Sequence, residues 1–149
     1  MSKLKTAINL AKMVHAGQKD LAGVDYFNHP QTVASLVKGK DAKIVAYLHD
    51  TVEDTYVTID LLRMIGFSKK IIDAVIAITH IKNDGYKEPY ADYIKRVKKN
   101  KLATKVKIAD MIHNSDLTRL PQVTQKDIKR SVGYLMYIRY LQGETTDIQ

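Results

Sequence analysis

The stretch Tyr47-Leu-His-Asp-Thr-Val-Glu-Asp-Thr55 constrains the chain most, because it places four ionisable side chains directly after an apolar run. A helical turn takes 3.6 residues, so His49 and Asp50 are predicted to share a helix face with Glu53 and Asp54. Ionisable groups on a buried helix must be satisfied, and a divalent metal ion with solvent would do so. The alternative is an exposed polar helix end beside a turn. The local pattern leaves both interpretations open.

The composition predicts one globular domain over residues 1–149, with 45% apolar and 27% charged residues. There are no cysteines, which excludes disulfides, cysteine-ligated zinc, iron–sulfur clusters and thiol catalysis. No apolar run approaches the length of a membrane span, so we expect a cytoplasmic protein without a membrane partner. The polar tail after about residue 143 is expected to be frayed.

The net charge of +8, from 24 basic and 16 acidic side chains, favours anionic partners such as nucleotides. Most of the lysine clusters are interpreted as a solvated face. No glycine and aromatic RNA-binding pattern interleaves with them, so nucleic acid is not the expected partner. The sequence leaves open whether the protein forms a homo-oligomer.

Apolar residues recur at helical spacing along most of the chain, which predicts an all-α fold of seven or eight helices. No alternating strand pattern is present, and Asn83-Asp-Gly85 predicts a turn. Thr58, Ser68 and Thr124 are predicted to cap helices. The predicted helices run over about 4–16, 29–39, 42–50, 58–64, 68–78, 89–97, 102–117 and 124–141.

The candidate metal ligands are His29, the His49-Asp50 pair and Asp110. Asp110 is flanked by apolar residues on a predicted core helix, where an unpaired carboxylate would be unfavourable. Two imidazoles with two carboxylates suit Mn²⁺, Fe²⁺ or Zn²⁺ and leave room for water. The residues alone do not choose between these metals.

Four stretches, in this order, resemble the HD-domain metal-dependent phosphohydrolases. More narrowly, they resemble the hydrolase domain of the RelA/SpoT alarmone enzymes and their small stand-alone relatives. The stretches are His15-Ala-Gly-Gln18, Tyr26-Phe-Asn-His-Pro30, His49-Asp-Thr-Val-Glu-Asp-Thr55 and Lys107-Ile-Ala-Asp-Met-Ile-His-Asn114. The resemblance implies a single helical bundle of the HD type.

The resemblance also implies one metal ion, usually Mn²⁺ in that family, with four ligands: His29, His49, Asp50 and Asp110. Glu53 and Asp54 would orient or deprotonate the attacking water. Asn114 would contact the ribose of a nucleotide, and Lys19 and Lys107 are also expected to contact the substrate. The implied reaction removes the 3′-pyrophosphate from ppGpp or pppGpp and gives GDP or GTP.

Two positions depart from the family pattern, because Asp20 and Asp116 stand where the alarmone hydrolases normally carry arginine. Both replace a cation with an anion where a phosphate-rich nucleotide would lie. The cations that could compensate in part are Lys19, Lys105, Lys107 and Arg119. Three hypotheses therefore stay open: an alarmone hydrolase, a hydrolase of another nucleotide or phosphate ester, and a non-catalytic basic domain that binds nucleic acid.

The remaining histidines are expected to be structural. His15 is predicted at a helix end, His80 as a cap or an exposed residue, and His113 as a neighbour of the ligands. Tyr90 and Tyr93 would form either a wall on which a base stacks, together with Tyr86, or part of the core.

Overall fold

Helices make up most of the fold in the computed structural model, which describes residues 1–148. Within these residues, eight helices have seven or more residues and a ninth, α4, is a single turn. Their bounds are α1 Lys3–Val14, α2 Asn28–Ser35, α3 Lys40–Leu48, α4 Thr51–Asp54, α5 Ile59–Ile65, α6 Lys69–Ile78, α7 Tyr90–Lys98, α8 Lys101–Asn114 and α9 Gln125–Leu141. A 3₁₀ helix spans Leu117–Arg119. The predicted all-α class is confirmed.

Helix α3 lies at the centre of the bundle and contacts α1, α2, α6 and α8. Its side chains Val45, Ala46 and Leu48 are fully buried, as the apolar run before the ionisable stretch predicts. Helix α8 packs against α2 and α3 and also against α6, α7 and α9. The start of α2, the end of α3 and the C-terminal half of α8 therefore meet inside the bundle, where they bring the candidate ligands together.

Three of the helices begin at the caps that the sequence predicts. Thr58 and Ser68 each accept a hydrogen bond from the backbone N–H three residues on, and so satisfy a free donor of α5 and α6. Thr124 and Asp127 form a reciprocal capping box at the start of α9.

The ionisable stretch does not form one continuous helix. The prediction that His49 and Asp50 share a helix face with Glu53 and Asp54 is therefore wrong. Helix α3 ends at Leu48 and α4 begins at Thr51. The Nδ1 atom of His49 donates to the carbonyl of Ala46 at 2.6 Å, and the Thr51 hydroxyl donates to that of Leu48 at 2.8 Å. These side chains satisfy the last carbonyls of α3 and so allow the chain to turn there.

A small β-hairpin was not predicted. Strand β1 (Lys82–Asn83) pairs antiparallel with β2 (Tyr86–Lys87), around the turn that Asn83-Asp-Gly85 predicts. Asp84 and Gly85 both have positive φ angles, 42° and 83°, which suits a tight hairpin turn. The hairpin extends beside the mouth of the site described below and carries two lysines towards it.

No helix in residues 1–148 is long and apolar enough to cross a membrane. In the polar tail, Ile148 is buried and packs with the hydrophobic core. Fraying of this tail stays a prediction.

Candidate active site

Three candidate ligands converge from three helices. His29 comes from the first turn of α2, His49 follows α3, and Asp110 lies within α8. One possible ligand atom from each lies within 4.8 Å of the others, and all three residues are buried. The Nε2 atoms of His29 and His49 lie 2.7 Å and 3.3 Å from Oδ1 of Asp110. These residues could hold a metal ion.

The orientation of His49 fits this role. Its Nδ1 donates to the carbonyl of Ala46, which leaves Nε2 as the ring nitrogen that faces the site and could bind a metal ion. Nε2 is buried and has no hydrogen-bond partner within residues 1–148, although carboxylate oxygens of Asp50 and Asp110 lie 3.1 Å and 3.3 Å away. A divalent cation would satisfy both the unpaired nitrogen and the facing carboxylates.

Asp50 lies at the edge of this group. Its Oδ2 is 3.1 Å from Nε2 of His49 and 3.8 Å from Nε2 of His29, so the fourth predicted ligand lies beside the other three. Tyr26 donates its hydroxyl proton to the same oxygen of Asp50 at 2.5 Å. Burial and the charge of Asp50 raise the pKa of Tyr26, which therefore stays a donor at neutral pH.

Asp110 is held on both of its oxygens. Oδ2 accepts from Nζ of Lys107 at 2.9 Å, and Oδ1 accepts from the Asn114 amide at 3.1 Å. The Lys107 ammonium lies over the ring of Tyr93, with 5.1 Å from Nζ to the ring centroid. Although burial alone would lower it, the charge of Asp110 keeps the pKa of Lys107 well above its ordinary value. The lysine is therefore a buried cation matched to a buried carboxylate.

A second histidine supports His29. The Nδ1 atoms of His29 and His113 lie 2.7 Å apart, and the two rings are stacked. Burial, followed by the charges of Arg119 and His29, lowers the pKa of His113 to about 4, so this ring is neutral at pH 7. One of the two facing nitrogens donates and the other accepts, which fixes the orientation of the His29 ring.

Glu53 and Asp54 lie on α4 beside the ligands. Glu53 accepts from the backbone N–H of His80 at 2.9 Å, and its other oxygen lies 3.4 Å from Nζ of Lys82. Burial, together with the charges of Asp50 and Glu53, raises the pKa of Asp54 to about 6. Glu53 is thus anchored, whereas Asp54 has the proton affinity of a base that works near neutral pH.

These groups line a polar cavity of about 260 Å³, called the ligand cavity below. Its wall includes the four ionisable residues of the stretch that the sequence singled out, lysines from the hairpin and α8, and Asp110. These residues are His49, Asp50, Glu53, Asp54, Lys82, Lys87, Lys107 and Asp110. A second cavity of about 400 Å³, the outer cavity, shares Tyr26, Asn114 and Tyr134 with the first. A single ligand could therefore occupy both.

The family model described as HD domain matches residues 7–135 of the sequence. The chain belongs to the HD-domain family. The resemblance predicted from the four motifs is thereby confirmed.

Curated relatives of this HD-domain protein are named as guanosine-3′,5′-bis(diphosphate) 3′-pyrophosphohydrolases or as GTP pyrophosphokinases. A probable guanosine-3′,5′-bis(diphosphate) 3′-pyrophosphohydrolase of Mycoplasma pneumoniae is 38% identical over 86 residues, which cover 55% of this chain and 12% of that protein. One of the same name from Synechocystis is 31% identical, covering 68% and 15%. A GTP pyrophosphokinase of Streptomyces coelicolor is also 31% identical, covering 76% and 14%. The chain thus spans between 12% and 15% of the length of these relatives.

A solved structure has the same fold. It is that of a metazoan ortholog of SpoT, which is described as hydrolysing ppGpp and playing a role in starvation responses. The TM-score is 0.74 with 24% identity, and the likeness covers 97% of this chain and 85% of that one.

The predicted substrate contacts of the HD-domain protein are split between the two cavities. Asn114 lies at their junction, Lys19 lines the outer cavity, and Lys107 lines the ligand cavity with its ammonium group on Asp110. These roles stay predictions. Lys105, which was considered as a compensating cation, is exposed and lines neither cavity.

The two acidic departures from the family pattern both line the outer cavity. Asp20 forms a part-buried ion pair with Arg119 at 3.0 Å, and its other oxygen accepts the backbone N–H groups of Ala22 and Val24. Asp116 caps the 3₁₀ helix through Thr118. Arg119 therefore stands in the outer cavity with a carboxylate already bound.

The prediction for His80 is wrong, and the tyrosines divide between the two predicted roles. His80 was expected to be a cap or exposed, but it is buried, stacks on Tyr93 and lies 2.6 Å from the carbonyl of Glu88. Tyr93 belongs to the core while also lining the ligand cavity, and Tyr86 is exposed and lines neither cavity. Of the proposed stacking wall, only Tyr90 and Tyr93 face the ligand cavity.

Sequence reasoning missed three residues of the site. Tyr26 stands inside a recognised motif, yet nothing local indicates that its hydroxyl binds Asp50. Arg130 and Tyr134 lie one turn apart on α9 and line the outer cavity. Their spacing is a weak signal, because a polar and an aromatic residue at that spacing are common on any amphipathic helix.

Proposed function

We propose that this HD-domain protein is a metal-dependent phosphohydrolase that removes the 3′-pyrophosphate from guanosine 3′,5′-bis(diphosphate) or a close analogue. One observation carries the proposal. His29, His49 and Asp110 present ligand atoms to one point, where Nε2 of His49 is buried and the part of the chain that the structure describes offers it no hydrogen-bond partner. The names of the curated relatives support the choice of substrate.

The metal ion is proposed to be held by His29, His49, Asp50 and Asp110, and to be Mn²⁺, with Fe²⁺ or Zn²⁺ as alternatives. When bound, such an ion lowers the pKa of a coordinated water and offsets charge on phosphoryl oxygens. The protein then acts on a small nucleotide in the cytoplasm rather than at a membrane.

The two carboxylates of α4 take different roles in this proposal. Glu53 is fixed by the His80 N–H and by Lys82, so it can hold an attacking water in one orientation. Asp54 has its pKa raised to about 6 and can accept the proton of that water near neutral pH. Lys82 and Lys87 stand where they can meet the charge of the departing pyrophosphate.

A second candidate keeps the hydrolase and changes the substrate. Asp20 and Asp116 line the outer cavity, where a substrate with many phosphates would meet carboxylates. This observation favours another phosphorylated nucleotide or phosphate ester. A panel of nucleotides separates the two candidates, because strong preference for ppGpp would remove the second.

The first experiment is to measure pyrophosphate and phosphate release from ppGpp with added Mn²⁺. A Glu53→Ala variant is the control for the carboxylate role, and metal binding by both proteins is measured by calorimetry. Pyrophosphate release that is lost in the variant, with metal binding kept, supports the proposal. Release that persists at the same rate in Glu53→Ala contradicts the assigned role of Glu53.

A further inference from the structure

We propose that the outer cavity binds an uncharged nucleoside part of the substrate, and that phosphates beyond the scissile group add little to recognition. The inference rests on the proposed function, which places the scissile phosphate at the ligand cavity. The substrate would then need a phosphate group at one end only. The residues that set this requirement are Asp20 and Arg119.

The connection between the two cavities fixes where the rest of the substrate must go. Tyr26, Asn114 and Tyr134 belong to both walls, so a molecule held at the ligand cavity can extend directly into the outer one. The volume of the outer cavity, about 400 Å³, lies within the range of small-molecule sites. This volume is enough for a nucleoside moiety.

Each arginine that lines the outer cavity is already paired with a carboxylate. Arg119 donates through Nη2 to Asp20 at 3.0 Å and through Nη1 to the carbonyl of His113 at 2.8 Å. Arg130 donates to Asp127 at 2.9 Å. Both guanidinium groups in the cavity wall are therefore already bound to a carboxylate that offsets their charge.

Lys19, the third cation on this wall, forms an ion pair with Asp25. Asp116 adds a second carboxylate to the wall, so the three cations that line the cavity face two lining carboxylates and are paired with two more, Asp25 and Asp127, that lie outside it. Each cation of the outer cavity is thus already offset by a carboxylate, although the net charge of the protein is +8.

The Asp20–Arg119 ion pair is decisive because it is part-buried. The Asp20 side chain is 10% exposed, compared with 77% for Asp25, so solvent screens the Asp20–Arg119 pair much less. Although burial alone would raise the pKa of Asp20, hydrogen bonds from Val24, Ala22 and Arg119 lower it. The carboxylate therefore stays ionised, and a phosphate would have to displace it from Arg119.

The wall of the ligand cavity has four carboxylates and three lysines, so its attraction for phosphate depends on a bound cation. Lys82 and Lys87 extend over it from the hairpin, and Lys87 has no ion-pair partner among the described residues. A bound divalent cation would add two further positive charges there. Phosphoryl groups are therefore favoured at this end of the substrate.

The remaining wall of the outer cavity suits a planar, weakly polar group. Tyr26 and Tyr134 provide aromatic surface, and Leu21 and Leu120 provide aliphatic surface. Aromatic side chains bind nucleobases by stacking, without a need for charge. The cavity therefore favours a base and not a second phosphate chain.

The test uses the unmodified protein with Mn²⁺ and three forms of guanosine 3′-diphosphate, which carry a 5′-hydroxyl, a 5′-phosphate or a 5′-diphosphate. A charge-assisted hydrogen bond to a 5′-phosphate would contribute roughly tenfold or more in affinity. At about 0.15 M salt, we expect kcat/KM for the three compounds to agree within about fivefold. An increase of more than about fivefold from the hydroxyl to the diphosphate compound overturns the inference.

A matched pair of variants tests the role of Asp20. Asp20→Asn keeps the oxygen that accepts from Ala22 and Val24 but releases the charge of Arg119. We expect the ratio of kcat/KM for the 5′-diphosphate compound to that for the 5′-hydroxyl compound to rise about tenfold. Asp60→Asn removes a carboxylate of an exposed pair with Arg63 and should leave the ratio unchanged. An unchanged ratio in Asp20→Asn, with a normal melting temperature, overturns the assignment of Asp20.

Failure of the proposed function would be visible separately. If none of the three compounds is hydrolysed, the assigned activity is wrong. The dissociation constants of the same compounds, measured by calorimetry, then decide the inference alone. Equal binding supports an uncharged outer cavity, and binding that strengthens with each 5′-phosphate overturns it.

Discussion

The Nζ atom of Lys107 lies 2.9 Å from Oδ2 of Asp110, and both side chains are buried one turn apart on α8. A lysine in this position would destabilise the folded state without its carboxylate, because transfer of an isolated charge from water into the protein interior is costly. The same carboxylate presents its other oxygen to His29 and His49. Folding energetics and the candidate metal site therefore depend on one residue, Asp110.

The first prediction concerns stability without metal. Asp110→Asn leaves Lys107 buried and uncompensated, so unfolding in urea with EDTA should show a loss of about 3–5 kcal/mol. Adding Lys107→Met to that variant should restore most of the loss, because the uncompensated charge is then gone.

The exposed pair Lys69–Asp73 on α6 is the control for this prediction, and Asp73→Asn should cost about 1 kcal/mol or less. A double variant that is no more stable than Asp110→Asn alone would contradict the argument from the buried charge.

The second prediction concerns metal binding. A ligand present at about 100 times its dissociation constant stabilises the folded state by about 2.7 kcal/mol, which raises the melting temperature by roughly 5–10 °C. We expect Mn²⁺ to produce such a shift in the unmodified protein and EDTA to reverse it. His49→Gln should abolish the shift, because its Nε2 lone pair is lost. Asp41→Asn, in a surface pair with Lys70, should keep it. An undiminished shift in His49→Gln would remove His49 from the ligand set.

Local features of the fold could be predicted from the sequence because they depend on few neighbouring residues. Ser68 caps α6 through a hydrogen bond to a backbone N–H only three residues on, so the residue type and the following apolar run suffice. The turn at Asn83-Asp-Gly85 is local in the same way. The strands beside it have two residues each and are too short to show an alternating pattern.

Features that depend on tertiary contacts could not be predicted in this way. Asp20 and Arg119 are 99 residues apart in sequence, and nothing near either one indicates the other. His80 follows an apolar helix and resembles an exposed cap, yet Tyr93 and the Glu88 carbonyl bury it. The family resemblance did indicate which residues would approach His29, because motif order carries information that local propensity lacks.

The third prediction is a pH dependence of stability. Hydrogen bonds from Arg96, which also contacts the last carbonyls of α6, lower the pKa of Glu88. Because the folded-state pKa lies below the unfolded one, the stabilisation is fully present above pH of about 4.3 and is lost as the pH falls through the folded-state value.

Glu88→Gln should therefore cost about 1–3 kcal/mol at pH 7 and less at acid pH, measured by urea denaturation across the pH range. Asp92→Asn, at an exposed position in the first turn of α7, should cost about 1 kcal/mol or less at pH 7. A difference between Glu88→Gln and the unmodified protein that does not shrink on acidification would contradict the assigned ion pair.

The fourth prediction concerns Tyr26, whose hydroxyl binds Oδ2 of Asp50 at 2.5 Å. Groups that orient a metal ligand typically contribute a factor of about 10–100 in metal affinity. Tyr26→Phe keeps the ring that lines both cavities, so the fold should be unchanged, whereas the dissociation constant for Mn²⁺ should rise by about that factor. Tyr56→Phe, at an exposed tyrosine, should bind Mn²⁺ as the unmodified protein does. Equal Mn²⁺ affinity in Tyr26→Phe would mean that the Tyr26 hydroxyl does not orient Asp50, and that any loss of activity arises in the outer cavity instead.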